Sequence, residues 1–208
     1  MNLAEVSAEA ATHGLFIMAE CPDPESNGTM VLIGADATFW GIFTASPEYQ
    51  NNVPNSVDTW SKRIITRLAD GRPTVYPSDG PPYAPFIQWA LGSDQFFQSP
   101  VGMMVHQKAG LMISIRGAIK LTQPYAAPTP SAPFPCVTCV EKPCLTTCPV
   151  GALGQDTAYD VPACKAYLNT TKGTDCMTRG CAVRRACPVS QRFDRPEAQS
   201  AYHMSVFV

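Results

Sequence analysis

Apolar residues at Leu3, Val6 and Ala10, with Asn2 placed to cap and His13-Gly14 to stop, predict a short amphipathic helix over 3–12. Leu15-Phe-Ile-Met-Ala-Glu reads as a buried strand, Cys21-Pro-Asp-Pro-Glu-Ser-Asn-Gly as a turn, and Thr29-Met-Val-Leu-Ile-Gly as the strand that pairs back. Phe39, Trp40 and Phe43 suit a helix over 36–44, and 47–54 is a polar loop. Ser56 is placed to cap a helix over 57–69. There Val57, Trp60, Ile64 and Leu68 form one stripe, and Lys62, Arg63 and Arg67 the opposite face. A short strand over 74–76 and a short helix over 84–91 follow.

Further on, Gly102-Met-Met-Val-His106 and Leu111-Met-Ile-Ser-Ile-Arg116-Gly-Ala-Ile-Lys-Leu121 flank Gln-Lys-Ala-Gly, the pattern of a β-hairpin. Residues 123–135 hold five prolines and no charge, which predicts a semi-rigid connector. Helical signal returns at 163–168 and again over 177–186. The expected architecture is α+β: an N-terminal domain over 1–122 with a central antiparallel sheet, a Pro-rich linker over 123–135, and a small C-terminal domain over 136–208.

Composition adds limits. With a net charge of −2 and a pI near 5.9, the chain lacks a nucleic-acid or anionic-membrane signature. No apolar run approaches the ~18 residues that span a bilayer, and the first ten residues read as neither a secretory nor a twin-arginine leader. A soluble, cytoplasmic protein is expected. Residues 1–135 carry seven Lys and Arg against eleven Asp and Glu, net −4, whereas 136–208 carry eight against six, net +2. Thiolate-bound clusters would turn the second half negative, so its surplus of cations suits that cargo.

Eight of the nine cysteines fall between 136 and 187. In a reducing cytoplasm such a density points to metal rather than disulfides. The run Cys136-Val-Thr-Cys139-Val-Glu-Lys-Pro-Cys144-Leu-Thr-Thr-Cys148-Pro149 has the form of a loop that wraps a cubane iron–sulfur cluster, and Cys187-Pro188 echoes its end. Eight thiolates serve two [4Fe-4S] clusters. In two-cluster ferredoxins the last cysteine of each half ligates the other half's cluster. That pattern implies Cys136, Cys139, Cys144 and Cys187 for one cluster, and Cys148, Cys164, Cys176 and Cys181 for the other. The alternative is a pair of four-cysteine zinc sites, although only the first two cysteines form a tight C-x2-C knuckle. Cys21 stands apart and reads as a small turn residue.

The stretches Cys144-Leu-Thr-Thr-Cys148-Pro-Val-Gly-Ala-Leu, Pro-Ala-Cys164-Lys-Ala-Tyr-Leu and Cys187-Pro resemble the dicluster ferredoxin module of epoxyqueuosine reductases and reductive dehalogenases. The spacing departs from that module, with four residues after Cys139 and after Cys176, and five before Cys187. The hairpin segment 102–119 resembles the His-Pro-x-x-Gly…Ile-Arg-Gly stretch of cblC-type cobalamin-processing proteins, with Gln107 in place of the proline. These resemblances imply a nitroreductase-like N-terminal domain that takes cobalamin or FMN, and a ferredoxin-like C-terminal domain.

His106 and Arg116 are then the candidate cofactor-binding residues. His106 also reads as a hydrogen-bonded turn histidine, and Arg116 as the partner of a core-edge carboxylate such as Asp36. Arg184 and Arg185, between two ligand cysteines, suit charge tuning or docking of an electron donor. Asp79 and Tyr83 are potential proton donors that an ordinary turn also explains. Three functions fit. The first is an iron–sulfur protein relaying electrons to a cofactor, a redox partner protein or a small-molecule substrate. The others are a cobalamin- or flavin-dependent reductase with internal clusters, and a domain in which clusters are only structural.

Overall fold

The computed structural model describes residues 3–127, 133–155 and 157–208. It is an α+β chain that divides into two compact units. One comprises Met1–Phe96 and Ser114–Pro130, the other Phe97–Ile113 and Ser131–Val208. Residues 97–113, expected in the N-terminal domain, therefore belong with the cysteines. Apolar packing is the reason: Val101, Val105 and Leu111 share one buried cluster with Cys144, Leu153, Val183, Cys187 and Val189. The expected cap at Asn2, and the linker residues 128–132, lie outside the described residues.

In chain order the first unit begins with α1 (Leu3–Thr12), β1 (Leu15–Pro22), β2 (Thr29–Ala35), α2 (Phe39–Thr44), α3 (Pro47–Gln50), α4 (Ser56–Ala69), β3 (Thr74–Val75) and α5 (Phe86–Leu91). Strands β4 (Phe96–Gln98) and β5 (Met104–His106) follow, and β6 (Ile115–Leu121) returns to the first unit. Its sheet runs β1-β2-β6-β3, antiparallel throughout. Every β2 residue is buried, which is why its run of apolar residues lacks alternation. α4 lays Val57, Trp60, Ile64, Ile65 and Leu68 inward, as its stripe predicts. Gly117 of β6 makes room for that helix: a Cβ there would lie 2.9 Å from Ile65 Cδ1 and 3.0 Å from Tyr76 Cδ1. Trp60 meets Phe39 edge-on at 5.2 Å between ring centroids, and Phe39 stacks on Phe43 at 5.5 Å.

Several local expectations are corrected. Residues 102–106 and 111–121 do not form one hairpin: β5 pairs with β4, whereas β6 pairs with β2 and β3. A single bridge, His106 to Gly110, closes the loop between them, with Gly110 in the left-handed region at φ +59°. Asn55, not Ser56, stands at the N-terminal boundary of α4, without a capping side-chain bond, and Ser46 caps a helical turn inside the expected 47–54 loop. Cys21 is a buried β1 residue opposite Met30 rather than part of a turn.

The second unit is built from short helices: α6 (Pro135–Thr138), α7 (Val161–Leu168), α8 (Thr174–Arg179), α9 (Ala182–Ala186), α10 (Pro188–Phe193) and α11 (Glu197–Phe207). The Asp160 carboxylate accepts from the Ala163 N–H at 2.9 Å and caps α7. The single helix expected over 177–186 is instead α8 and α9, broken at Gly180. Its φ of +91° ends α8, and a Cβ there would lie 2.5 Å from Ser200 Cβ. Among the described residues no helix is long and apolar enough to cross a membrane.

Candidate metal centre

All nine cysteines are free thiols. Cys136 lies in α6, Cys139 caps its end, Cys144 sits in a one-turn 3₁₀ segment (Pro143–Leu145), and Cys187 ends α9 and begins α10. These four, with Cys187 lying 51 positions beyond Cys136, line one cavity of ≈ 510 Å³. Its walls are otherwise mainly apolar, with Pro133, Pro135, Val140 and Pro143 near the first three cysteines. Val105, Leu111, Pro188 and Val189 lie in the same wall, and Glu141, Lys142 and Arg192 supply its charge. Pro188 starts α10 directly after Cys187, and its missing N–H is one the first helical turn does not need.

The electrostatics of the thiols divide them the same way. Burial pushes Cys136 up to about 11, with Cys144, Cys187 and Cys139 adding to the rise and Lys142 opposing it. Burial also raises Cys144, reinforced by Cys187 and Cys139, against N–H donors from its own backbone and from Leu145. In the second set, burial raises Cys164, the Tyr159 hydroxyl lowers it, and Cys181 and Cys148 are its sulfur neighbours. Burial raises Cys176 too, while the Ala182 N–H donates to its sulfur and Cys181 is the thiol beside it. Cys139, Cys144 and Cys187 thus surround Cys136, and Cys148 and Cys181 neighbour Cys164; Cys148 and Cys181 also pack against the apolar cluster that holds Cys144 and Cys187.

Among the described residues no group of three or more His, Cys, Asp or Glu closes on a single point as the ligands of one metal ion do. Four thiolates around one zinc sit roughly 3.8 Å apart, given Zn–S bonds of about 2.3 Å in a tetrahedron. A cubane carries its cysteines on the corners of an eight-atom body, so its ligands stand farther apart around a cavity. The first donor set offers four cysteines lining one mainly apolar cavity, with backbone N–H groups directed at Cys144, the donor chemistry such a cluster needs. Holding any metal requires the ligand thiols to shed their protons, so loading is pH-dependent.

The other candidates fall elsewhere. His106 is buried at 2% exposure, and its Nδ1 accepts from the N–H groups of Lys108 at 3.1 Å and Ala109 at 2.9 Å. That nitrogen carries no proton, and the ring's visible work is to hold the 106–110 loop. Arg116 belongs to the first unit, and His106 to the second. Arg116 pairs with Asp58 at 3.7 Å and donates to the Ile115 carbonyl, and the Asp36 carboxylate accepts from Thr38 and Phe39 at the start of α2. Arg184 donates to the Leu111 carbonyl, and Arg185 to the Gly180 carbonyl and Asp175. Asp79 pairs with Lys62, and Tyr83 is exposed. Buried Cys21 is pushed up to about 11, first by burial and then by Asp23, which makes it an unreactive thiol.

The sequence reading missed what surrounds the cavity. Ser190, three residues past Cys187, is buried, and its Oγ accepts the Leu111 N–H at 2.8 Å. The close approach of Gly110 to Ser190 makes that bond reachable, and a conspicuous glycine before Leu111 was its signal in the sequence. No family model, curated protein or solved structure matches this chain.

Proposed function

We propose that this chain is an iron–sulfur redox protein that relays single electrons through two [4Fe-4S] clusters. Cys136, Cys139, Cys144 and Cys187 hold one, and Cys148, Cys164, Cys176 and Cys181 the other. The observation that carries the reading is the meeting of distant Cys187 with the first three cysteines around one cavity, the crossed pairing of a dicluster ferredoxin-like module. When bound, such clusters supply reversible one-electron transfer. The chain's own part is to exclude water with an apolar wall, direct N–H groups at sulfur, and hold the cysteines where the clusters meet them.

The receiving end belongs to the first unit, as a nitroreductase-like domain that takes cobalamin or FMN or docks a redox partner protein. Cytoplasmic residence goes with this reading, because free cysteines of this number persist in a reducing compartment. Anaerobic purification followed by iron and acid-labile sulfide analysis tests the proposal. It expects about eight of each per chain, with broad visible absorbance. A colourless protein holding zinc and no sulfide contradicts it. Titration with cob(II)alamin and with FMN then separates a bound cofactor, which shifts its spectrum, from a docked protein partner, which leaves it unchanged.

A further inference from the structure

The turn between β4 and β5 reaches the first cysteine site from a part of the chain that carries no ligand. Ser99 opens it: the Ser99 N–H donates to the Met103 carbonyl at 2.8 Å, and the Gly102 N–H returns to the Ser99 carbonyl at 3.0 Å. Val101, within the turn, is buried with Cys144 and Cys187. Ser99 itself is 6% exposed and lines the cavity that Cys136, Cys139, Cys144 and Cys187 share. Its Oγ is fully buried, and it has no hydrogen-bond partner among the described residues.

A buried hydroxyl left unpaired costs about 1–3 kcal/mol, and native interiors pair the great majority of such groups. The Ser99 and Gly102 N–H groups are already spent within the turn, so the hydroxyl is left to pair with a group held in a cavity it lines, the cysteine-lined one or the smaller one beside Lys142 and Thr157. Thiolate and sulfide sulfurs accept such a hydrogen bond. Gln107 Oε1 is a second unpaired atom in the same wall, but it is itself an acceptor, and its amide nitrogen donates to the Pro133 carbonyl at 3.3 Å. Of these two unpaired atoms, Ser99 Oγ is the one that can donate to sulfur.

We infer that Ser99 is a positioning and tuning residue of the first site, its hydroxyl donating to a sulfur of the group held there. The inference rests on the iron–sulfur reading above. A hydrogen bond to sulfur stabilises the more negative, reduced state and so raises the reduction potential. Removing it favours oxidation.

The test is an EPR-monitored redox titration of the whole chain, purified without oxygen, as wild type, Ser99→Ala and Ser99→Thr. Ser99→Ala should keep the wild-type iron content and lower one of the two midpoint potentials. The shift corresponds to roughly a tenfold change in the one-electron equilibrium, ~59 mV. Ser99→Thr, which keeps a hydroxyl, should restore it, and the other midpoint should stay fixed in both variants. Unmoved midpoints in Ser99→Ala, at full iron content, overturn the inference and leave the two-cluster reading standing. Loss of iron in both variants assigns Ser99 a packing role and also overturns it. Wild-type protein without iron and sulfide removes the reading on which it rests.

Discussion

The two units are held together by different means. Among the described residues, the largest fully buried side chains, including Trp60, Phe39, Phe43, Met30, Leu32 and Ile65, lie almost all in the first unit. Leu111 is the second unit's member of that group. The first unit has a sheet, a 14-residue helix and an aromatic core, enough to fold on hydrophobic burial. The second has helices of four to eleven residues, too short to be stable alone, and its buried groups include Cys144, Cys176 and Cys187. Where thiols stand in core positions, the proposed clusters would take over the work that apolar contacts do elsewhere.

The largest effect should come from removing the metal. Chelation under reducing conditions is expected to unfold α7 to α11 while β1, β2 and β6 keep their amide protection, read by hydrogen exchange. Uniform loss or uniform retention of protection would erase the contrast between the units. Next is Trp60→Ala, which empties the aromatic core and should destabilise the first unit by ~3–5 kcal/mol, measured by denaturant melts. Its iron content should remain that of the wild type.

Gly110→Ala probes the second unit without touching a ligand. A Cβ would stand 2.4 Å from the Ser190 N–H nitrogen, on a residue whose φ of +59° already disfavours a side chain. A cost of about 1–3 kcal/mol is expected. Because Ser190 follows Cys187 on α10, the loss should fall on the first site, with iron reduced by up to about half. The first unit's denaturation midpoint should not move.

The smallest effect tests charge in the first unit. Glu48 is buried beside Arg63, whose Nη2 donates to Oε2 at 2.9 Å, and that hydrogen bond is the leading cause holding the carboxyl below its usual range. A carboxylate lowered on folding stabilises the protein above its ordinary value of about 4.3. That contribution disappears as pH falls through the lowered one. Arg63→Met should therefore cost about 1 kcal/mol at pH 7 and flatten the acid limb of the stability–pH curve, followed by thermal melts at stepped pH.

The sequence made the first unit legible where periodicity was strong: the α4 stripe and the all-apolar β2 run have no competing conformation. It failed at the 102–121 segment because local pattern cannot distinguish two strands that pair with each other from two that pair with different sheets. The Gln-Lys-Ala-Gly turn does close, but Leu111 is bound by Ser190, and β6 finds β2 and β3 instead. The cysteine spacing was legible without the fold, and the structure does bring Cys136, Cys139, Cys144 and Cys187 to one cavity; the clusters remain the proposal drawn from that spacing. Ser99 was not, since a serine in a turn becomes notable only when its hydroxyl is buried and unpaired against a cysteine-lined cavity.

The most direct test is the iron content of two double variants purified without oxygen, Cys144→Ala/Cys187→Ala and Cys144→Ala/Cys148→Ala. Crossed ligation puts Cys144 and Cys187 on one cluster and Cys148 on the other. The first double variant should then retain about four irons, and the second almost none. The reverse outcome, with iron kept when the adjacent Cys144 and Cys148 are removed and lost when Cys144 and Cys187 are, would contradict the crossed arrangement.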